Sequence, residues 1–202
     1  MSDYKHPIKK YPQYYPIIDE NSRLLILGSF PSKDWASGGF YYGSDRNRFW
    51  HLIVRFFHDG FKNKYSSLNK SQIINGSEID AYVSDMMPEQ KAQLLLNNNL
   101  ALWDIIDECN SKTKEHPSKD TDIIDPIFND ILDLLKRYEG IQKVLFTGSG
   151  CLKKKMAENI KSAILKKEIR RDIDVGFLPA PARVIWRGGN IEKWRELLTQ
   201  DA

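Results

Sequence analysis

The fold is indicated by a short apolar run that ends at a glycine, Leu24-Leu25-Ile26-Leu27-Gly28. A continuous apolar run of this length is typical of a strand that is buried on both faces of a parallel sheet. Two similar runs lie far along the chain, at 144–147 before Gly148 and at 175–178 before Pro179. Together the three runs predict a central parallel sheet.

Helical patterns separate these strands, and the alternation predicts an α/β fold. Apolar residues recur at three- and four-residue spacing from Phe49 to Phe57, which is the pattern of a helix with one buried face. Five helical segments are predicted: at 49–57, at 88–96, from an Asp125 cap through Pro126 to Gly140, after Gly150, and at 191–199.

The length of 202 residues predicts a single domain over residues 1–202. Residues 1–22 are expected to form an N-terminal arm. Residues 62–84 are polar, rich in Asn and Ser, and without periodicity, so we expect an exposed loop insertion there.

The composition, with 41% hydrophobic and 28% charged residues, is that of a folded, water-soluble domain. Cys109 and Cys151 are too few for a disulfide framework, which favours a reducing compartment. No apolar run of about 18 residues is present, and the first residues do not resemble a signal peptide. We therefore expect a cytoplasmic protein, a monomer, that makes no membrane contact.

The net charge of +3 is too small to indicate a nucleic-acid partner, but the charge is unevenly distributed. Residues 153–171 hold eight basic and two acidic side chains, and residues 104–133 hold nine acidic and three basic ones. The basic segment, which we expect to be helical, fits either a solvated helix face or a surface for phosphates.

Polar and aromatic residues cluster after the first predicted strand, where ligands bind in open α/β sheets. Gly28–Ser32 follows the strand directly, and Phe40-Tyr41-Tyr42 leads into Ser44–Arg48 at the start of a helix. Stacking a base on an aromatic ring contributes about 1–3 kcal/mol, and an Asn amide presents both a donor and an acceptor. The segment predicts a base-sized pocket with an aromatic wall.

Plainer interpretations of the same residues stay open. The three aromatic residues also fit a loop that packs onto the core, and Asn47 fits an inert polar residue in a first helical turn. Asp45 is a nearby carboxylate that could serve as a general base, and it fits a helix cap as well.

Other site chemistries find little support. The four histidines, His6, His51, His58 and His116, do not show the spacing of metal ligands. Gly148-Ser149-Gly150 matches only half of a nucleotide-binding turn. We therefore expect neither a metal nor an organic cofactor.

Two linked motifs, LILGSFPS at 25–32 and FYYGSDRNRFW at 40–50, resemble the uracil-DNA glycosylase superfamily, most closely its hypoxanthine-DNA glycosylase branch. Weaker likeness continues through ALWD at 101–104, ND at 129–130, LFTG at 145–148 and LPAPA at 178–182, as far as the helix that contains Trp194. The resemblance spans roughly residues 23–198 and leaves out 62–84.

The resemblance implies a three-layer αβα sandwich with a central, mainly parallel sheet. It also implies an enzyme that hydrolyses the N-glycosidic bond of a deaminated base, uracil or hypoxanthine, flipped out of DNA. The residues that match the base pocket of the family are Gly28, Ser29, Phe30, Pro31, Ser32, Tyr42 and Thr147. Tyr42 matches the aromatic residue that stacks on the base.

The resemblance assigns the attacking water to Asn47. Mismatch-specific relatives carry an Asn just before the Pro of the first loop, where this chain has Phe30. The hypoxanthine branch is thought to use the Asn of its R-N-x-F-W segment instead, which here is Asn47. An amide cannot take up a proton as a carboxylate does, so Asn47 would orient the water and stabilise charge through its dipole.

In relatives, a loop after the last strand grips the DNA backbone and inserts a side chain into the space that the base leaves. Here that loop is 178–183, and Arg183 or an apolar neighbour would be the wedge. The implied DNA contacts are Ser149, Lys153, Pro179, Pro181, Arg183 and Arg187.

The chain departs from the pattern of the branch at three places. Thr147 stands where Asn is common, Ala180-Pro181 replaces a serine-rich stretch, and Ser44-Asp45 replaces His-Pro. Together with Phe30, the changes at Thr147 and Ala180-Pro181 leave open a catalytically inactive DNA- or nucleotide-binding module of the same fold. An unrelated small-molecule hydrolase that uses the same pocket is a further alternative.

Overall fold

In the computed structural model of the chain, residues 3–5, 12–31, 40–44, 47–61, 77–112, 120–169, 171–181 and 190–199 are described. Their strands are β1 (Asp3–Lys5), β2 (Leu24–Gly28), β3 (Leu100–Asp104), β4 (Ile106–Ser111), β5 (Ile123–Phe128), β6 (Lys143–Thr147) and β7 (Asp174–Leu178). Their helices are α1 (Phe49–Phe57), α2 (Ser77–Asp85), α3 (Pro88–Leu96), α4 (Ile131–Arg137), α5 (Cys151–Leu165) and α6 (Asn190–Thr199).

Four parallel strands form the central sheet in the order β3-β2-β6-β7. Ile26 of β2 lies opposite Leu102 of β3 and Leu145 of β6. All residues of β2 are buried, which is what a continuous apolar run predicts for a strand with helices on both sides. The predicted parallel sheet is confirmed.

The side chains of β2 alternate between two hydrophobic cores, one on each face of the sheet. Leu24 and Ile26 pack with residues of α1, α2, α3 and α6. Leu25 and Leu27 pack with residues of α4 and α5. The layers are therefore helix, sheet and helix, and the expected three-layer αβα sandwich is confirmed.

A second, antiparallel sheet in the order β1-β4-β5 corrects one predicted helix. The segment that was expected to start a helix at Asp125 and Pro126 is strand β5, and the helix begins only at Ile131, capped by the side chain of Asp130. Asp125 has a φ of 47°, which no helix start accepts. Pro126 is tolerated because β5 is an edge strand, where a missing N–H is not always needed for pairing.

Two expected irregular segments contain regular structure. Residues 62–84 were predicted to be a loop, but 77–85 form α2, in which Ile79 and Val83 are buried on one side; residues 62–76 lie outside the described part. The four-residue spacing of Ile79 and Val83 is that of a helix face, but the polar residues around them obscured this pattern in the sequence. In the N-terminal arm, β1 pairs with β4, and buried Ile17 pairs with Leu102 at the edge of the central sheet.

The basic segment is helical only in its first part. Helix α5 ends at Leu165, although the sequence predicted a helix as far as Arg171. The Arg171 guanidinium donates to the carbonyl oxygens of Leu135, Tyr138 and Ile141, so this cation holds the end of α4. None of the described helices is both long and apolar enough to cross a lipid bilayer.

A polar cluster joins α1 to α2 next to the cavity described below. Arg48 Nη1 lies 2.7 Å from His51 Nε2 and 2.5 Å from Asp80 Oδ1, and His51 Nε2 lies 2.8 Å from the same oxygen. Within the described part of the chain, the buried His51 Nδ1 has no hydrogen-bond partner. Burial and the Arg48 charge lower the pKa of His51 to about 4, against the opposing effect of Asp80. The ring is therefore neutral at pH 7.

We expect His51 to make the protein less stable in mild acid. Because its pKa is lower in the folded than in the unfolded state, the unfolded chain binds the extra proton first. The free energy of unfolding is therefore highest above about pH 6.5 and is lower by about 2 kcal/mol at pH 5. Below about pH 4 this contribution no longer changes with pH. Urea unfolding at pH 7 and pH 5 measures this loss, and His51→Leu should reduce it. An equal loss in His51→Leu would contradict the assignment.

Candidate base-binding cavity

The carboxyl ends of the parallel strands surround a cavity of about 260 Å³. This volume is just below the roughly 300–1,000 Å³ of pockets for drug-sized ligands, which suits a single nucleobase. The lining residues come from the ends of β2, β3 and β6, from the segments that follow β2, β4 and β7, and from the first turn of α5. They are Gly28, Ser29, Phe30, Pro31, Tyr41, Tyr42, Ser44, Asn47, Asp104, Asp120, Thr147, Lys153, Ala180 and Pro181.

Most of the residues that the sequence singled out meet here. Nine of them line the cavity: Gly28, Ser29, Phe30, Pro31, Tyr42, Asn47, Thr147, Lys153 and Pro181. Ser149 is exposed and Pro179 lies behind the lining, where its carbonyl oxygen accepts from Trp194 Nε1 at 2.9 Å. Ser32, Asp45, Arg183 and Arg187 lie outside the described residues.

Tyr42 joins the loop before α1 to strand β6. Its ring stacks on Phe49 with centroids 4.2 Å apart, and its hydroxyl lies 2.9 Å from Thr147 Oγ1. Because Thr147 Oγ1 donates to the Leu27 carbonyl oxygen, it accepts the proton of Tyr42. Burial and the nearby Asp104 raise the pKa of Tyr42 far above its usual value, so the phenol stays neutral. Phe49 covers one face of the ring, which leaves at most the other face for a ligand.

The other two residues of the aromatic triplet belong to the core. Phe40 and Tyr41 are almost fully buried, and Phe40 stacks on Trp50. The Tyr41 carbonyl oxygen accepts from Trp50 Nε1 at 2.5 Å. The core interpretation holds for Phe40, while Tyr41 is buried and still touches the cavity. The aromatic wall is therefore smaller than the triplet suggests.

Asn47 is held firmly in the turn before α1. Its Oδ1 accepts from the Phe49 backbone N–H at 2.9 Å, and its own N–H donates to the Ser44 carbonyl oxygen at 2.8 Å. The Arg48 N–H donates to the Pro181 carbonyl oxygen at 2.7 Å, which ties this turn to the loop after β7. Asn47 thus serves the helix start and also lines the cavity, with one lone pair of Oδ1 and the amide Nδ2 left over.

Two carboxylates in the cavity were missed by the sequence analysis. Asp104 ends β3, is 5% exposed, and lies directly beside Gly28 in the β2–β3 pairing. Asp120 lies in a short 3-10 helix and approaches Lys153 Nζ at 3.8 Å. For Asp104 a signal was present, because it follows the buried run Leu100–Trp103 just as Gly28 follows its own strand.

Lys153 points into the cavity rather than into solvent. Only 11% of its side chain is exposed, whereas Lys154 and Lys155 are exposed. Burial lowers the pKa of Lys153, and the charges of Asp120 and Asp104 oppose that shift. Within the described ranges, no group of three His, Cys, Asp or Glu side chains is arranged to hold a metal ion.

Gly28→Ala should destabilise the protein, because a Cβ at this position would collide with Asp104 Oδ1 and come within 2.8 Å of the Tyr42 hydroxyl. We expect a loss of about 1–3 kcal/mol in the free energy of unfolding, measured with urea. The matched control is Gly60→Ala, at an exposed glycine whose Cβ would meet only the His58 ring at 3.3 Å. Equal losses in both variants would contradict the packing argument.

Comparisons with known proteins agree with this architecture. The chain is 28% identical over 132 residues to a hypoxanthine DNA glycosylase from Methanosarcina acetivorans. The aligned residues make up 65% of this chain and 67% of that protein. It is also 28% identical over 133 residues to a hypoxanthine DNA glycosylase from Methanosarcina barkeri, covering 66% and 68%. No family model matches the sequence.

A solved structure supports the fold independently. The solution NMR structure of a candidate uracil DNA glycosylase from Methanosarcina acetivorans superposes with a TM-score of 0.59. The match covers 91% of this chain and 92% of that one, at 22% identity. This chain therefore shares the fold of that structure. The expected resemblance to the hypoxanthine branch is confirmed by the two relatives named above.

Proposed function

We propose that this protein is a DNA glycosylase that hydrolyses the N-glycosidic bond of a deaminated base, uracil or hypoxanthine, flipped out of DNA. The proposal rests on one observation above all: Tyr42, Asn47 and Thr147 line a single base-sized cavity at the carboxyl ends of the parallel strands. Two relatives named hypoxanthine DNA glycosylase support it. A role in base excision repair, as a cytoplasmic monomer, is part of the proposal.

The cavity offers a flipped base both stacking and hydrogen bonds. Extruding a base costs a few kcal/mol of stacking and pairing, which contacts in the pocket must offset. Tyr42 and Phe30 offer aromatic surface. Among the described residues, the buried hydroxyl of Ser29 makes no hydrogen bond, so a base can satisfy it without breaking a bond within the protein.

Asn47 is the residue that we propose to orient the attacking water. Breaking the glycosidic bond leaves positive charge on the sugar, and water must reach C1′ as this charge develops. Oδ1 of Asn47 keeps one lone pair for a water proton while the Phe49 N–H holds the amide in place. The amide acts by position and dipole, because it does not become protonated.

Contacts with the DNA backbone are proposed for the rim. The first residues after β7 are held by two hydrogen bonds, which the Pro179 and Pro181 carbonyl oxygens accept from Trp194 Nε1 and the Arg48 N–H. We propose that Ser149, the loop residues Pro179, Pro181 and Arg183, and Arg187 contact the DNA, with Arg183 as the wedge.

Asn47→Ala should slow base release by about 100-fold, because the water loses its positioning group. The measurement is single-turnover release of free base from duplexes that contain uracil or inosine. Asn47→Asp keeps an acceptor for the water and for the Phe49 N–H, so its rate should exceed that of Asn47→Ala if the carbonyl oxygen orients the water. Asn159→Ala, at an exposed asparagine of α5, serves as the control.

The same experiment separates the alternatives. Unchanged release by Asn47→Ala would show that another group orients the water. Duplex binding that weakens with salt, without release of any base by the wild type, would favour the inactive DNA-binding module. The absence of both would favour the small-molecule hydrolase.

Variants of Tyr42 test the stacking contact. Tyr42→Leu should weaken binding of a duplex with a non-cleavable 2′-fluoro-deoxyinosine by about 1–3 kcal/mol, the contribution of one stacked base. Tyr42→Phe keeps the ring and loses only the hydrogen bond to Thr147, so its affinity should stay closer to that of the wild type. Equal losses in both variants would assign the effect to the hydroxyl instead. Fluorescence anisotropy gives the affinities.

A further inference from the structure

We propose that Lys153 donates a hydrogen bond to the carbonyl oxygen of the flipped base and stabilises the negative charge that the base acquires as the glycosidic bond breaks. This inference rests on the proposed glycosylase function. It gives Lys153 a role inside the cavity in place of the phosphate contact that the sequence suggested.

The position of Lys153 follows from the strand before it. Strand β6 ends with Thr147 at the cavity, Gly148 turns the chain, and α5 begins at Cys151, three residues after Gly148. Lys153 lies in the first turn of α5, and its Nζ lies 3.9 Å from the place where Gly148 would carry a Cβ. Lys153 and Thr147 both line the cavity.

A buried ammonium requires a reason, because desolvation of a lysine is costly unless the charge is paired. Asp120 is its ion-pair partner in the described part of the chain, at 3.8 Å, which is longer than a hydrogen bond. An ammonium has three donors, and one distant carboxylate is an incomplete shell for it. Burial lowers the pKa of Lys153, and the charges of Asp120 and Asp104 oppose that shift by stabilising the ammonium, which is the form that donates to a ligand.

Deaminated bases carry the group that such a donor recognises. Deamination replaces the exocyclic amino group of cytosine or adenine with a carbonyl oxygen. The ammonium donates to O4 of uracil or to O6 of hypoxanthine, both of which are acceptors, but not to the amino group that cytosine or adenine carries at the same position. A buried cation thereby favours the deaminated bases over the normal ones, since an unpaired donor facing an amino group is unfavourable.

The same contact assists the bond cleavage. The C1′–N bond breaks and its electron pair stays on the base nitrogen. The water oxygen bonds to C1′ and loses its proton to solvent, and solvent protonates the base nitrogen after the base has left. The electron pair is shared by resonance with the carbonyl oxygen, so the base leaves as an anion whose charge lies partly beside Lys153. A fixed charge aimed at a developing charge is worth most in a buried site. Lys153 keeps its proton throughout.

The test is a cycle that combines Lys153→Met with removal of the carbonyl from the base. Duplexes carry hypoxanthine or purine, which lacks O6, and in parallel uracil or pyrimidin-2-one, which lacks O4. Lys153→Met should lower the single-turnover release of hypoxanthine or uracil by about 100-fold, as for loss of one charge-stabilising donor. The loss should be less than about threefold for the analogues without the carbonyl.

Two controls separate this role from folding and from overall charge. Lys161→Met removes the same charge from an exposed position two turns further along α5 and should leave the rates unchanged. The double variant Lys153→Met/Asp120→Asn removes the ion pair without leaving an unpaired carboxylate, and it should show the same dependence on the carbonyl. Where release of an analogue is too slow to follow, the same comparison is made with binding affinities. Wild type and Lys153→Met are then titrated with non-cleavable 2′-fluoro duplexes that have or lack the carbonyl oxygen.

Equal losses with and without the carbonyl would overturn the proposal and leave Lys153 a structural role. Full activity of Lys153→Met on hypoxanthine and uracil would overturn it as well, while the glycosylase function would stand. If the wild type releases neither base, the proposed function fails, and the role of Lys153 fails with it.

Discussion

The site depends on one spatial constraint at the end of β2, where residue 28 must have no side chain. Gly28 lies opposite Asp104 in the parallel pairing with β3, and the Asp104 carboxylate occupies the space next to the glycine Cα. The Tyr42 hydroxyl approaches the same space. The Asp104 carboxylate and the Tyr42 hydroxyl can both lie there only because Gly28 has no side chain.

The turn at Tyr42 shows how the fold holds that arrangement. Tyr42 has a φ of 53°, a conformation that costs a residue with a side chain about 1–2 kcal/mol. Stacking on Phe49 and the hydrogen bond to Thr147 offset this cost and tie the loop both to α1 and to β6. Backbone strain at a cavity, compensated by contacts on either side, is characteristic of functional sites.

The charges of the molecule acquire meaning only in three dimensions. The acidic segment supplies Asp104 and Asp120 to the cavity, and the basic segment supplies Lys153 to the same place. Arg171 belongs to the basic segment too, yet it binds three backbone carbonyl groups around the end of α4. The net charge of +3 therefore neither excludes nor supports a DNA partner. The role of each cation depends on its position in the fold: Lys153 lines the cavity, whereas Arg171 binds backbone carbonyl groups.

The sequence by itself determined the α/β class and the central parallel sheet, because short apolar runs and amphipathic helices carry their pattern locally. The three αβα layers were implied by the family resemblance. It also brought the loop after β2 and Asn47 to attention. It was wrong at β5, where an Asp-Pro pair is equally good as a helix start or an edge strand, and it overlooked α2. Only the tertiary structure decided that Asp104, Asp120 and Lys153 share the cavity with Tyr42. Strand register and burial bring these residues together from distant parts of the chain, and the local sequence around each of them does not indicate the contact.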